Sequence, residues 1–79
     1  MIIYGIKDII ADEITGVFLA KNDLVACRMN LKVPEGIDSK DFEIVKIEGL
    51  KSCGMYETVC RLDMAAEKLG ILTETEKED

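Results

Sequence analysis

Three basic side chains stand close together in the first half of the chain: Lys21, Arg28 and Lys32. Lys32 follows Arg28 by four residues, the spacing that puts two side chains on one side of a helix. Leu24, Val25, Cys27, Met29 and Leu31 form a broad apolar arc at helical spacing, and Arg28 falls near its middle. A guanidinium in that position must reach out to water, pair with a carboxylate, or meet a partner. One reading is a bridge to Asp8 or Asp12; the other is a phosphate or partner-carboxylate contact beside Lys21 and Lys32. Aromatic platforms interleaved with cations, as single-stranded nucleic acid requires, occur in a thin version as Tyr4 with Lys7 and Phe42 with Lys46. Against this stands the core: with only two Tyr, two Phe and no Trp, Tyr4, Phe18 and Phe42 are wanted inside. The candidate contact residues are therefore Lys21, Arg28, Lys32, Tyr4 and Lys7.

The inventory argues against an enzyme. There is no His to act as a base near neutral pH and no nucleophile elbow. The glycines at 5, 16, 36, 49, 54 and 70 match no phosphate-binding fingerprint. The acid pairs Asp12–Glu13 and Asp38–Asp41 read as solvated loop positions. No metal site and no cofactor are expected, since without His or a close cysteine pair a zinc site has nothing to assemble from. Cys27, Cys53 and Cys60 are an odd set with no pairing framework, which points to a reducing cytoplasm and inert buried thiols. The opening Met-Ile-Ile-Tyr-Gly-Ile lacks a charged leader, and no apolar run approaches a membrane span.

Charge narrows the partners further. The formal net charge is −6, and residues 41–79 carry ten acids against five bases. A negative body repels phosphate backbones, so any nucleic-acid site must be a local basic patch. At 79 residues the domain is minimal, its core must be mostly Ile, Leu, Val and Met, and a homodimer is a common way to bury more.

The elements that would position these residues follow from periodicity. Ile2–Asp8 alternates with a period of two and reads as a strand; Ile14–Ala20, rich in β-branched and aromatic residues, reads as a second, paired antiparallel as a hairpin. Asn22 is a helix N-cap with Asp23 in the first turn, and the helix should run to about Val33 before Pro34 and Gly36. Pro34–Lys40 is a loop and Phe42–Gly49 a third strand, followed by a turn at Lys51–Gly54. Met55, Val59, Leu62, Ala66 and Leu69 share a helical face, Glu57 and Arg61 make a favourable pair, and Gly70 would stop that helix. Met55–Leu62 also carries strand formers, and the long helix is the favoured of the two readings. Residues 1–72 thus form one α+β domain of order β-β-α-β-α, a small antiparallel sheet with helices on one face, and residues 73–79 an acidic disordered tail.

The stretch Phe18–Arg28 (FLAKNDLVACR), the opening Tyr4–Asp8 and the later Asp41–Gly49 together resemble a known family, the small nonstructural proteins of gokushovirus-type microviruses, bacteriophages with single-stranded DNA. The matching positions are Tyr4 and Asp8; Phe18, Ala20, Asn22, Asp23, Ala26 and Arg28; then Asp41, Phe42, Ile44, Ile47 and Gly49. Beyond Gly49 the chain departs from the family, which runs into a short Asp/Gly hairpin. The resemblance implies a nonstructural phage protein of the bacterial host cytoplasm that binds single-stranded DNA or the replication and packaging machinery.

Two other functions fit the composition. An acidic phage protein of this size could inhibit a host protein, a nuclease or defence effector, by presenting negative charge where nucleic acid would sit. A homo-oligomeric module with no ligand of its own is the third.

Overall fold

A computed structural model of the chain describes residues 1–33, 35–47 and 56–77, the last four of these by their backbone alone. The elements are β1 (Ile2–Asp8), β2 (Glu13–Ala20), α1 (Asp23–Met29), β3 (Phe42–Ile47), β4 (Tyr56–Arg61) and α2 (Ala65–Lys77), with single 3-10 turns at Ser39–Asp41 and Leu62–Met64. The fold is α+β, as expected, but its order is β-β-α-β-β-α.

All four strands form one antiparallel sheet in the order β2-β1-β3-β4. The expected hairpin is present, with Tyr4 opposite Phe18 and Ile2 opposite Ala20. Its second strand starts at Glu13, after Asp12 takes a left-handed backbone (φ 56°), a conformation that Asp tolerates better than most residues. On its other side β1 pairs with β3, placing Tyr4 opposite Lys46 and Ile6 opposite Ile44.

Four features differ from the sequence reading. The first helix ends at Met29 rather than near Val33, because Asn30 closes it: its backbone N–H donates to Cys27 O at 3.1 Å and its Nδ2 to Ala26 O at 2.7 Å. The second difference is a whole strand. Tyr56–Arg61 belongs to β4 and not to a helix, since pairing with the free side of β3 satisfies a row of backbone groups that helical periodicity cannot register. Gly70 does not stop α2, which passes through it to Lys77; a glycine ends a helix only where the chain turns left-handed, and the positive-φ glycine among the described residues is Gly36. The segment from Thr73, read as a disordered tail, is helical as far as Lys77, with Thr73 Oγ1 donating to Leu69 O at 2.8 Å. The ends of the third-strand reading (Glu48, Gly49) and the turn at Lys51–Gly54 lie outside the described residues.

The helices cover one face of the sheet. Tyr4, Ala20 and Ile44 from the strands meet Ala26 of α1, Leu62 of the 3-10 turn and Ala65 of α2 in one buried cluster. Tyr4 stacks on Phe18 at a ring separation of 5.6 Å. On β4 both Val59 and Cys60 pack against this cluster, which strict alternation forbids; a bulge allows it, Ile44 pairing with Cys60 and Val45 with Thr58 so that Val59 is the extra residue. The molecule is a slab of 37 × 33 × 15 Å, thin because nothing among the described residues forms a third layer.

Candidate functional site

Tyr4 is fully buried, and its Oη donates to Asp23 Oδ1 at 2.6 Å. The Lys46 ammonium lies 3.3 Å from the same oxygen. One carboxylate in the first turn of α1 thus ties the helix to both central strands, where the N-cap bond from Val25 N to Asn22 Oδ1 (3.0 Å) fixes the turn. Burial first, and Asp23 second, push the Tyr4 hydroxyl above the ordinary tyrosine range. As a stacking platform for a base, Tyr4 is therefore excluded. Phe42 is half-buried against the core, and Lys46 is taken up by Asp23, so the second aromatic–cation pair is not presented either.

Lys7 lies on the opposite face of the sheet. Its Nζ is 3.0 Å from Asp12 Oδ1, 3.8 Å from Glu43 Oε1 and 4.8 Å from the centre of the Tyr56 ring. The Tyr56 side chain and then Asp12 hold the ammonium charged above the ordinary lysine range. This cation closes the sheet face at its β3–β4 side and offers little to a ligand.

The three remaining candidates stay open. Lys21, Arg28 and Lys32 are exposed and take part in none of the ion pairs among the described residues. Arg28 does not bridge to Asp8 or Asp12: Asp8 accepts from Ala11 N at 3.0 Å, and Asp12 holds Lys7. It sits on the solvent side of α1 because Ala26 and Cys27 supply the buried side of a helix too short to bury more. Lys32 falls beyond the end of α1, so the helical relation to Arg28 is lost. Instead it lines, with Asn30, Ile37 and Phe42, an apolar cavity of about 280 Å³ past the helix end.

Two features were not anticipated from the sequence. Cys27 of α1 and Cys60 of β4, far apart in the chain, are free thiols that come close enough for each to act on the other's protonation. Burial pushes both thiols up, Cys60 to about 12, so at neutral pH both are protonated, poor nucleophiles and poor ligands. Cys53 lies outside the described residues. Among the described residues no group of His, Cys, Asp and Glu could hold a metal ion, and no helix is long and apolar enough to cross a membrane.

The other feature is the uncovered face of the sheet. In register, Ile3 and Gly5 of β1 and Ile14, Val17 and Leu19 of β2 point away from the helices. Val17 is 64% exposed, Leu19 53%, Ile3 41% and Ile14 37%, a contiguous apolar surface. On the same face Val45 is fully buried, so the open part is confined to the β1–β2 side. The sequence shows these residues as ordinary strand formers; only the sheet order reveals that β2 is an edge and that one of its sides is bare. No family model, curated protein or solved structure matches this chain.

Proposed function

We propose that the chain is a non-enzymatic binding protein whose working surface is the uncovered β1–β2 face, and that its target is a protein. The observation that carries this reading is the contiguous exposure of Ile3, Val17 and Leu19 on a small domain that has few large residues in its core. Apolar patches of this kind on soluble domains mark interaction sites. The resemblance to gokushovirus nonstructural proteins supplies the setting: a phage protein in the host cytoplasm, engaging the replication or packaging machinery or inhibiting a host nuclease or defence effector. Affinity capture from host lysate with the wild type and with Ile3→Lys as matched control tests the reading. A stoichiometric partner held by the wild type and lost by the variant is the expected result; equal capture by both overturns it.

A second reading is favoured by one observation. Lys21, Arg28 and Lys32 are exposed and enter none of the ion pairs among the described residues, whereas Lys7, Lys40, Lys46 and Arg61 are each engaged by a carboxylate. Exposed cations on an acidic body are where a single strand of DNA would bind, through its phosphates rather than by base stacking. Anisotropy titration with a short labelled oligonucleotide at low salt, repeated on Lys21→Glu/Arg28→Glu/Lys32→Glu, tests this. Binding that falls steeply with salt and vanishes in the triple variant supports it; no binding by the wild type removes it.

A further inference from the structure

The helix side of the sheet is not roofed over its whole length. α1 closes at Asn30 after seven residues, and past its end Lys32 and Ile37 of the following connection stand over the strands. Ile6 of β1 and Phe42 of β3 pack against the core cluster on this side, yet both are only half-buried. The space between is the cavity of about 280 Å³, with Leu62 as a buried part of its lining. Gly16, opposite Ile6 in the hairpin, also lines it, and nothing lies within 4 Å of where a Gly16 Cβ would stand. An apolar cavity of about 150 Å³ takes up benzene, so this one has room for a ligand of about ten to twelve heavy atoms.

Its polar groups say what kind of ligand. Thr15 Oγ1 donates to Ile6 O at 3.2 Å and Asn30 Nδ2 to Ala26 O at 2.7 Å, so both serve the fold first. Lys32 is exposed at the rim and enters none of the ion pairs among the described residues. The chain has sixteen acids against ten bases, yet among the described residues lining the cavity Lys32 carries the only charge. An apolar pocket with one well-placed polar or charged group is the ordinary form of a small-molecule site. One lysine on a body of net charge −6 balances one negative charge and leaves the second charge of a phosphate monoester unmatched.

We infer that this cavity binds a small apolar monocarboxylate, its ring or branched chain on Ile6, Phe42 and Leu62 and its carboxylate at the Lys32 ammonium. The site lies on the face of the sheet opposite Ile3, Val17 and Leu19, so it is separate from the surface assigned to a protein partner and does not depend on that reading.

Titration of the isotope-labelled full chain with hydrocinnamate and with its uncharged match, hydrocinnamamide, followed by amide chemical shifts, tests it. Hydrocinnamate should shift Gly16, Asn30, Lys32 and Ile37 with a Kd below about 1 mM, and the amide should bind more weakly at the same residues. Lys32→Ala should weaken hydrocinnamate by about three- to fivefold and leave the amide unchanged. Gly16→Leu fills the open space and should abolish both, with an unchanged circular dichroism spectrum. No shifts in the wild type, or shifts confined to Ile3, Val17 and Leu19, overturn the site; equal affinity for acid and amide overturns the role of Lys32. A protein captured from host lysate by the wild type and lost in Gly16→Leu, with neither small molecule bound, would give the cavity to a partner's side chain and overturn the small-molecule assignment.

Discussion

The Tyr4 hydroxyl donates to the Asp23 carboxylate at 2.6 Å across the junction of the central strand with the first helix. Lys46, from the neighbouring strand, shares that oxygen at 3.3 Å. A helix of only seven residues has little apolar surface with which to hold its place, so this charge-assisted node anchors it.

Tyr4→Phe keeps the ring and its stacking on Phe18 and removes only the donor. Hydrogen bonds to charged groups contribute about 1.5–3 kcal/mol, so the variant should unfold at lower urea with a loss in that range. An equilibrium urea titration with unchanged m-value measures it. A loss below about 0.5 kcal/mol would show that water replaces the hydroxyl without cost.

Alkaline pH should destabilise the fold in two stages. The folded state holds Cys60 protonated up to about 12 and holds the Cys27 thiol above its ordinary range, so the native state keeps protons that the unfolded chain releases from about pH 9. Stability then falls as pH rises through the window from about 9 to about 12. Tyr4, also raised, adds to the decline above about pH 10, where an unfolded tyrosine ionises. Urea titrations across this range should show a shallower decline for Cys60→Val than for the wild type. Identical slopes would sink the assignment.

The same burial protects the thiols. Cys27 is fully buried, and in the native protein it should react with iodoacetamide far more slowly at pH 8 than in urea. Peptide-resolved mass spectrometry after timed alkylation reads this residue separately from Cys53. Equal native and denatured rates at Cys27 would contradict its place beneath the helices.

Two glycines in the hairpin should respond oppositely to alanine. A Cβ on Gly5 would stand 3.1 Å from Ile14 Cγ2, 3.3 Å from Ile47 Cδ1 and 3.4 Å from Gly16 O, while one on Gly16 would meet nothing within 4 Å. Gly5→Ala is therefore expected to destabilise by about 1 kcal/mol or more, crowding outweighing the entropic gain. Gly16→Ala should be neutral or stabilising by a few tenths of a kcal/mol in ΔG from the same urea titrations. The reverse order would mean that β1 and β2 are not in this register.

Removing the centre of the core gives the largest effect. Ile44 is fully buried between Tyr4, Leu62 and Ala65, and Ile44→Ala should cost about 2–5 kcal/mol, a large share of the stability of so small a domain. A thermal unfolding midpoint unchanged from wild type would refute this packing.

Much of the local structure was legible in the chain itself. The period of two in Ile2–Asp8, the β-branched run at Ile14–Ala20 and the Asn22–Asp23 cap each specify their element through contacts a few residues long, and all three are present. The absence of His and the acidity likewise follow from residue types alone. What distant partners decide was not legible. Tyr56–Arg61 satisfies a helical pattern as well as a strand pattern, and it became a strand because β3 offered it hydrogen bonds. Among the contact candidates, Tyr4 went inside and Lys7 was paired with Asp12 and Glu43, while Lys21, Arg28 and Lys32 met no carboxylate among the described residues, outcomes set by which side chains the sheet brings within about 4 Å. The sequence determined that this is a small acidic α+β chain without a histidine. Only the tertiary structure decided that β2 is an edge with one bare apolar side, because strand order is a property of long-range pairing and no local periodicity encodes it.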